Sequence, residues 1–171
     1  MTERVSDSLP LRPAVRGLVI DADNSVLMVR LVFPDGAWWV LPGGGIDTGE
    51  DHATALHREL AEEIGLVGAT IGPPVWERTH YFQLIDTDGV EWSGQTEVVY
   101  IVRTERFVPS PHFSEEQLRA EGLHEHRWWT IDDIASYRGT DSFAPPQIAE
   151  HLFHIVNHGV PVPPFVIHQN T

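Results

Sequence analysis

The apolar residues of the chain fall first into strand-like runs and later into helix-like stripes. Turn-forming residues bound each of the early runs, which lie at 14–20, 25–33 and 37–41. Short apolar runs between turn residues predict strands, and the first two would form a hairpin. Further extended segments are predicted at 67–71, 75–85, 97–103 and 127–131.

Helices are predicted where apolar residues recur every three or four positions. One such stripe is formed by Ala53, Leu56, Leu60 and Ile64. The helix that carries it ends at Gly65, and a terminal helix is predicted over 145–158, behind two prolines. Shorter helices are predicted at 114–120 and 132–137. Strands followed by one central and one terminal helix predict an α/β fold or an α+β fold with a mixed sheet.

The length of 171 residues favours one domain, which we expect at 14–158. A loose lead-in would precede it at 1–13, and a proline-rich tail would follow at 159–171. The N-terminal segment is polar and interrupted by prolines, unlike a signal peptide, and no apolar run approaches the ~18 residues needed to cross a bilayer. The chain has no cysteine, which excludes disulfides and cysteine nucleophiles. A soluble cytoplasmic protein is expected.

The chain carries 25 acidic and 11 basic residues, for a formal net charge of −14, and every basic residue is arginine. A nucleic-acid polymer and an anionic membrane both require a basic face, so neither is expected as a partner. Because lysine is absent, a cationic contact to phosphate must come from an arginine. Arg30, Arg78 and Arg127 are the first candidates.

Three acidic residues of the predicted central helix share one face. Glu59, Glu62 and Glu63 are spaced so that their carboxylates stack and repel one another. A solvated acidic helix face is one interpretation. The other is a site for a hard divalent cation, because magnesium and manganese prefer carboxylate and water oxygens.

Three consecutive glycines at 43–45 precede this helix, directly after Pro42. Residues without a side chain let a ligand approach the main chain, and a glycine-rich loop that runs into a helix can present amide donors to a phosphate. A plain tight turn is the alternative, and the glycines alone favour it.

Taken together, residues 44–66 resemble the Nudix box, the signature G-x5-E-x7-R-E-U-x-E-E-x-G-U, in which U is a bulky aliphatic residue. Its fixed positions are filled by Gly44, Glu50, Arg58, Glu59, Leu60, Glu62, Glu63, Gly65 and Leu66. The resemblance implies a Nudix-type α/β/α sandwich in which the box forms a loop–helix–loop. It also implies a hydrolase that cleaves the pyrophosphate linkage of a small nucleoside diphosphate derivative by water attack at phosphorus.

The resemblance assigns metal binding to the three glutamates of the helix. Glu59, Glu62 and Glu63 would hold magnesium, or alternatively manganese, and the carbonyl of Gly43 would add a ligand. A divalent cation neutralises the diphosphate and lowers the pKa of a bound water, so no covalent nucleophile is needed.

The remaining box positions are expected to shape and support this site. Arg58 joins the catalytic candidates because it would pair with Glu50 or with the acids of the helix. Glu50 and Gly65 would be structural, and Gly44 would lie against the substrate.

The general base is open, because relatives take it either from the box or from a later loop. The later loop here offers Glu115, Glu116, Glu121 and Glu125, and the strand before it offers Glu97. Glu116 and Glu121 are retained as catalytic candidates, with a surface acid as the alternative for each.

Substrate contacts outside the box are predicted on strands. Arg30 ends a strand where some triphosphate-cleaving relatives have a phosphate-contacting arginine, with a solvated cation as the alternative. Trp39 could stack on a base or belong to the core. Gly45 stands where some triphosphate-specific members carry lysine, which weakens a nucleotide-pool-cleansing role.

Two substrate classes and two functional classes follow from these residues. An ADP-ribose-like compound and a nucleoside triphosphate remain equal candidates for the substrate. A catalytically weak Nudix-fold module that binds a nucleotide or regulates in response to it is the alternative to an enzyme, but such modules usually lose box carboxylates. The intact acids therefore favour the enzyme, and a homodimer would be in keeping with the family.

Overall fold

The computed structural model of the protein describes residues 10–170. Within that range the nine strands, in chain order, are β1 Arg12–Ile20, β2 Val26–Phe33, β3 Gly36–Val40, β4 Gly43–Gly45, β5 Pro74–Ile85, β6 Glu91–Arg103, β7 Leu123–Trp129, β8 Ser142–Ala144 and β9 Phe165–Asn170. The helices of the same range are α1 His52–Ile64, α2 Glu115–Ala120, α3 Ile131–Ala135 and α4 Ile148–His158.

The strands form one mixed sheet in the order β8-β3-β2-β1-β6-β5-β9, with β4 and β7 paired to β1 and β2 off this path. The central pair β1 and β6 is parallel, whereas β5 and β6 form a long antiparallel hairpin. The short strand β4 pairs with the start of β1, so that Gly43 lies opposite Arg16. Because α1 follows β4 after a short loop, this pairing brings the acidic helix beside the glycine strand.

Apolar clusters lie on both faces of the sheet, because alternate side chains of a strand point to opposite sides. On one face Val15 and Val19 of β1 belong to the cluster that includes Leu56 of α1. On the other face Leu18 of β1 belongs to the cluster that includes Leu152 of α4. This helix–sheet–helix layering confirms the predicted α/β/α sandwich with a mixed sheet.

Helix α1 begins and ends at residues suited to capping. The side chain of Asp51 accepts a hydrogen bond from the Thr54 N–H at 2.8 Å. At the other end Gly65 adopts the left-handed conformation, with φ of 71°. A Cβ at this position would overlap the carbonyl oxygen of Ser110, so the helix must end at a glycine.

Two segments differ from the predicted pattern of elements. Residues 67–71 do not form a strand, because the chain turns at Gly68, where φ is 71°, and Val67 is exposed. Residues 43–45, which were expected to interrupt regular structure, form β4. Strand pairing uses only backbone N–H and C=O groups, and glycine supplies both.

Strands extend into both segments that were expected to flank the domain. Arg12 and Pro13 of the expected lead-in belong to β1, and residues 1–9 lie outside the described residues. Part of the expected proline-rich tail, Phe165–Asn170, forms β9 in parallel with β5. None of the helices in the described range is long and apolar enough to cross a membrane.

Candidate active site

Arg58 ties the loop after β4 to helix α1. Its guanidinium donates to the two carboxylate oxygens of Glu50 at 2.9 and 2.8 Å, and to the carbonyl of Gly45 at 3.0 Å. The hydrogen bonds from Arg58 are the main reason that the pKa of Glu50 is lowered. Because a bidentate arginine–carboxylate pair is strongly directional, it fixes the loop relative to the helix.

The three acids of the helix, Glu59, Glu62 and Glu63, are gathered between Arg58 and the glycine strand; we refer to them as the box acids. Arg58 donates to Glu59 at 2.9 Å and to Glu62 at 3.3 Å. Glu63 lies deeper and accepts a hydrogen bond from the Gly43 N–H at 3.0 Å. The structure therefore brings together all three acids that the sequence analysis selected.

Burial dominates the protonation of the box acids. It raises the pKa of Glu59 to about 7, and the attraction of Arg58 offsets only part of this effect. Burial, followed by repulsion from Glu59, raises the pKa of Glu63 well above its ordinary value. Burial also raises the pKa of Glu62. Raised carboxylate pKa values show that the ionised acids lack enough positive charge nearby, so a further cation would stabilise them.

Two glycines of β4 leave room for charged groups where side chains would otherwise lie. A Cβ on Gly44 would stand 2.7 Å from Oε1 of Glu59. A Cβ on Gly45 would overlap the guanidinium of Arg12. Both approaches are closer than a side-chain carbon allows, so the glycine strand is what permits the acid and the arginine to approach the main chain.

A cleft of about 270 Å³ opens over β4 and over two of the box acids, Glu59 and Glu63. Its charged lining residues are Arg12, Arg16, Glu59, Glu63, Asp86 and Glu121. Its larger apolar lining residues are Leu31 and Phe33 of β2 and Phe82, Leu84 and Ile85 of β5. A ligand that joins an anionic part to an uncharged, flat or apolar part matches this division.

Arg12 and Arg16 line the cleft, although neither was among the residues predicted from the sequence. Arg12 fell within the expected lead-in. Arg16 interrupts the otherwise buried strand β1 between Val15 and Gly17. A charged residue inside a buried strand is rare unless it is paired, and this interruption was the signal that could have identified it.

Arg30 and Trp39, predicted to contact substrate, meet Asp141 and are absent from the lining of the cleft. Arg30 donates to the two oxygens of Asp141 at 2.8 and 3.1 Å, and Trp39 Nε1 donates to the same carboxylate at 3.0 Å. Trp39 is 4% exposed and packs edge-on against Trp129. Because its position on β3 faces the interior, Trp39 belongs to the core, and the structure does not support a ligand role for either residue.

The other two predicted arginines also lie away from the lining of the cleft. Arg78 is buried, and its guanidinium pairs with Glu97 at 3.1 Å. The guanidinium of Arg127 lies over the ring of Trp129, at 3.7 Å from its centroid. Burial holds Arg78 within the fold, whereas Arg127 is exposed and is held against Trp129 by a cation–π contact.

The two loop glutamates differ in position. Glu116 is exposed on α2 and does not line the cleft. Glu121, which directly follows α2, does line it, and burial together with repulsion from Glu62 raises its pKa. Of these two candidates for the general base, the structure brings only Glu121 to the box acids.

The donor set at the box acids suits a hard divalent cation, because it consists of carboxylate oxygens. The raised pKa of Glu59 and the space that Gly44 leaves beside its carboxylate fit a bound cation. Within residues 10–170, no three histidine or acidic side chains are arranged as a preformed metal site. Arg58 holds two of the acids, so a metal ion would compete with its guanidinium for them.

A family model described as NUDIX domain matches residues 10–151 of the chain. Nudix hydrolase 25 from Arabidopsis thaliana is 37% identical over 99 residues, which are 54% of this chain and 56% of that protein. An RNA pyrophosphohydrolase from Sphingopyxis alaskensis is 27% identical over 155 residues, which are 81% of this chain and 96% of that protein. The chain thus spans little more than half of the Arabidopsis protein.

A solved structure gives the same fold. The NUDIX domain of Shewanella oneidensis NrtR, solved in complex with ADP ribose, matches with a TM-score of 0.60 at 20% identity. The match covers 85% of this chain and 88% of that one. At this level of identity the likeness shows the fold.

Proposed function

Because this chain belongs to the Nudix family, we propose that it hydrolyses the pyrophosphate linkage of a nucleoside diphosphate derivative with the help of a divalent cation, magnesium in the first instance. One observation carries the proposal: the three box acids are intact and gathered beside the glycine strand, and two of them, Glu59 and Glu63, line the cleft. The family model and the relatives named as hydrolases and pyrophosphohydrolases support a pyrophosphohydrolase enzyme.

The box acids would hold the cation, with manganese as an alternative to magnesium. When bound, such a cation neutralises phosphate oxygens and makes a bound water more acidic. Arg58 holds Glu59 and Glu62 in place from the side of the loop, and the Gly43 N–H holds Glu63 from the side of β4. These contacts keep the carboxylates aimed at one region without help from the ligand.

Glu121 is the group we propose as general base. Burial raises its pKa, which makes its carboxylate a stronger base, and it lines the same cleft as Glu59 and Glu63. It would take the proton of a water that attacks phosphorus, while the bond between phosphorus and the bridging oxygen breaks. The leaving phosphate or nucleoside phosphate departs with the electrons of that bond.

The substrate is proposed to be a small molecule such as ADP-ribose or a nucleoside triphosphate. The cleft joins charged residues to the apolar walls formed by Phe33 and Phe82, which suits a diphosphate attached to a stacking group. The relatives named RNA pyrophosphohydrolase bring a triphosphorylated RNA end into the test, whereas the net charge of −14 disfavours a polymer.

A substrate panel tests this proposal. ADP-ribose, the four nucleoside triphosphates and a 5′-triphosphorylated RNA oligonucleotide are incubated with magnesium, manganese or EDTA, and the products are separated by chromatography. We expect metal-dependent release of a nucleoside monophosphate or of phosphate, and its loss in Glu62→Gln and Glu63→Gln. Glu116→Gln, on the exposed face of α2, is the matched control and should retain activity. Unchanged release in the two box variants would refute the mechanism, and binding without release would favour a regulatory module.

A further inference from the structure

Glu97 is a buried carboxylate that accepts hydrogen bonds from three side chains near the cleft. It is 3% exposed and lies on the central strand β6. Arg16 Nε and Arg78 Nη1 donate to its two oxygens, and Gln95 Nε2 adds a third hydrogen bond at 3.0 Å. Burial alone would raise the pKa of Glu97, but the two arginines outweigh it and lower the pKa below the ordinary value. The carboxylate is therefore ionised, and it acts as a fixed anchor for guanidinium groups.

Arg16 reaches the cleft because of this anchor and because Gly43 has no side chain. A Cβ on Gly43 would lie 2.6 Å from the Cα and 2.9 Å from the Cγ of Arg16. The guanidinium is held at Nε by Glu97 and at Nη1 by the carbonyl of Leu41, at 2.8 Å. Within residues 10–170 its Nη2 makes no hydrogen bond, while the residue lines the cleft beside Gly43 and Glu63.

The same anchor extends to the second arginine of the cleft. The amide nitrogen of Gln95 donates to Glu97, so its amide oxygen is directed elsewhere and lies 3.5 Å from Nη1 of Arg12. Arg12 has no ion pair with any residue in the described part of the chain. Both cleft arginines thus keep donors for an anionic ligand on the wall that adjoins β4.

We propose that Arg16 binds the diphosphate of the substrate and that Glu97 is the residue that positions it. This inference rests on the proposed function and assigns to that site its cationic ligand. With two of its nitrogens committed to Glu97 and Leu41, the guanidinium retains one nitrogen in a fixed orientation. Little side-chain entropy would be lost when this nitrogen meets a phosphate oxygen.

Binding measured without turnover tests the inference. The probe is an ADP analogue with a methylene group in place of the bridging oxygen, titrated calorimetrically in EDTA. Arg16→Lys keeps the charge but cannot span Glu97 and Leu41 while presenting a further donor, and we expect it to weaken binding at least about tenfold. Arg103→Ala, an exposed arginine at the end of β6, is the control and should leave the affinity unchanged.

A double-mutant cycle separates positioning from a general structural role. Glu97→Gln should lower the affinity for the probe by itself. In a protein that already carries Arg16→Lys it should cause little further loss of affinity, because both changes act through one guanidinium. Thermal unfolding of each variant checks that it is folded at the temperature of the binding measurement. Additive losses would show that Glu97 does not act through Arg16.

The outcomes also distinguish this inference from the proposed function. An unchanged affinity in Arg16→Lys would overturn the inference even if the substrate panel shows hydrolysis. If the wild-type protein does not bind the probe in EDTA, the titration is repeated with magnesium, and failure to bind there would overturn the inference as well. An affinity that falls in Arg16→Lys, without hydrolysis of any panel member by the wild-type protein, would support the inference and refute the proposed enzyme.

Discussion

Glu63 and Glu97 are both buried glutamates next to the same cleft, yet their pKa values move in opposite directions. Glu63 shares its surroundings with Glu59, and burial with this repulsion raises its pKa. Glu97 shares its surroundings with Arg16 and Arg78, and their attraction lowers its pKa despite burial. The difference teaches that burial sets the penalty for charge, while the number of nearby partners decides whether the charge is kept.

The two surroundings complement the two charges that a metal–diphosphate ligand carries. At the box acids, the single guanidinium of Arg58 forms ion pairs with several carboxylates, so the site has an excess of negative charge that can bind a cation. At Glu97, one carboxylate forms ion pairs with Arg16 and Arg78, so positive charge is in excess and can bind an anion. The strand β4 lies between them, and its missing side chains allow both sets to approach the ligand.

The largest expected effect is on catalysis at the acidic side. Glu63→Gln removes one cation ligand but retains an oxygen that can accept the Gly43 N–H. We expect kcat to fall on the order of a thousandfold, since a bound cation contributes several kcal/mol to the stabilisation of the transition state. Initial rates on the best substrate of the panel measure the effect, with Glu116→Gln as control. A loss of less than about tenfold would show that Glu63 is not a required ligand.

The same substitution should have opposite effects on stability at the two glutamates. Glu97→Gln leaves Arg16 and Arg78 without a buried counter-charge, so we expect the free energy of unfolding to fall by about 3 kcal/mol. Glu63→Gln removes a charge that its surroundings disfavour, so the metal-free protein should become more stable. Urea unfolding at pH 7 in EDTA measures both. Destabilisation of similar size in both variants would remove the contrast between the two sites.

The pH dependence of stability sharpens the contrast. Glu59 has a folded pKa of about 7, above its ordinary value of 4.5, so the folded state binds more protons and stability of the metal-free protein falls as pH rises through this interval. Glu97 has a lowered pKa, so its contribution is present above 4.5 and is lost as pH falls through its folded pKa. For each of these groups, the free energy of unfolding changes by at most about 1.4 kcal/mol per pH unit.

Urea unfolding from about pH 3.5 to 8 in EDTA measures these two limbs. Glu59→Gln should make the limb between 4.5 and about 7 shallower, with Glu62, Glu63 and Glu121 still contributing to it, and should leave the acidic limb in place. Glu97→Gln should make the acidic limb shallower, with other acids of lowered pKa such as Glu50 still contributing to it, and should leave the upper limb in place. A Glu59→Gln variant with the wild-type slope in the upper interval would show that Glu59 does not titrate there.

The acidic side could be predicted from sequence because its geometry is local. Glu59, Glu62 and Glu63 lie on one helix, and helical periodicity alone places them on a common face. The Arg58–Glu50 pair spans only a loop and two helical turns, so the box signature covers it as well. The fold class followed from the same local patterns of strand and helix.

The cationic side could not be predicted, because distant segments build it. Arg16 and Glu97 are separated by 81 positions and meet only because β1 and β6 pair in parallel. Arg30 and Asp141 are separated by 111 positions, and this partner removed Arg30 from consideration as a substrate ligand. Strand pairing between distant segments cannot be read from local periodicity, so the arginines predicted from the sequence lie away from the cleft.

The smallest expected effect concerns the glycine strand that lies between the two sites. Gly44→Ala would place a methyl group 2.7 Å from Oε1 of Glu59, and the end of this side chain can be displaced more easily than backbone. We therefore expect activity to fall about tenfold through the displaced acid while stability stays nearly unchanged. Gly43→Ala is the matched comparison, because its methyl group would overlap the backbone oxygen of Val15 and destabilise the fold. Rates and urea unfolding of both variants would separate the two effects, and equal losses of stability would show that Gly44 serves the fold and not the position of Glu59.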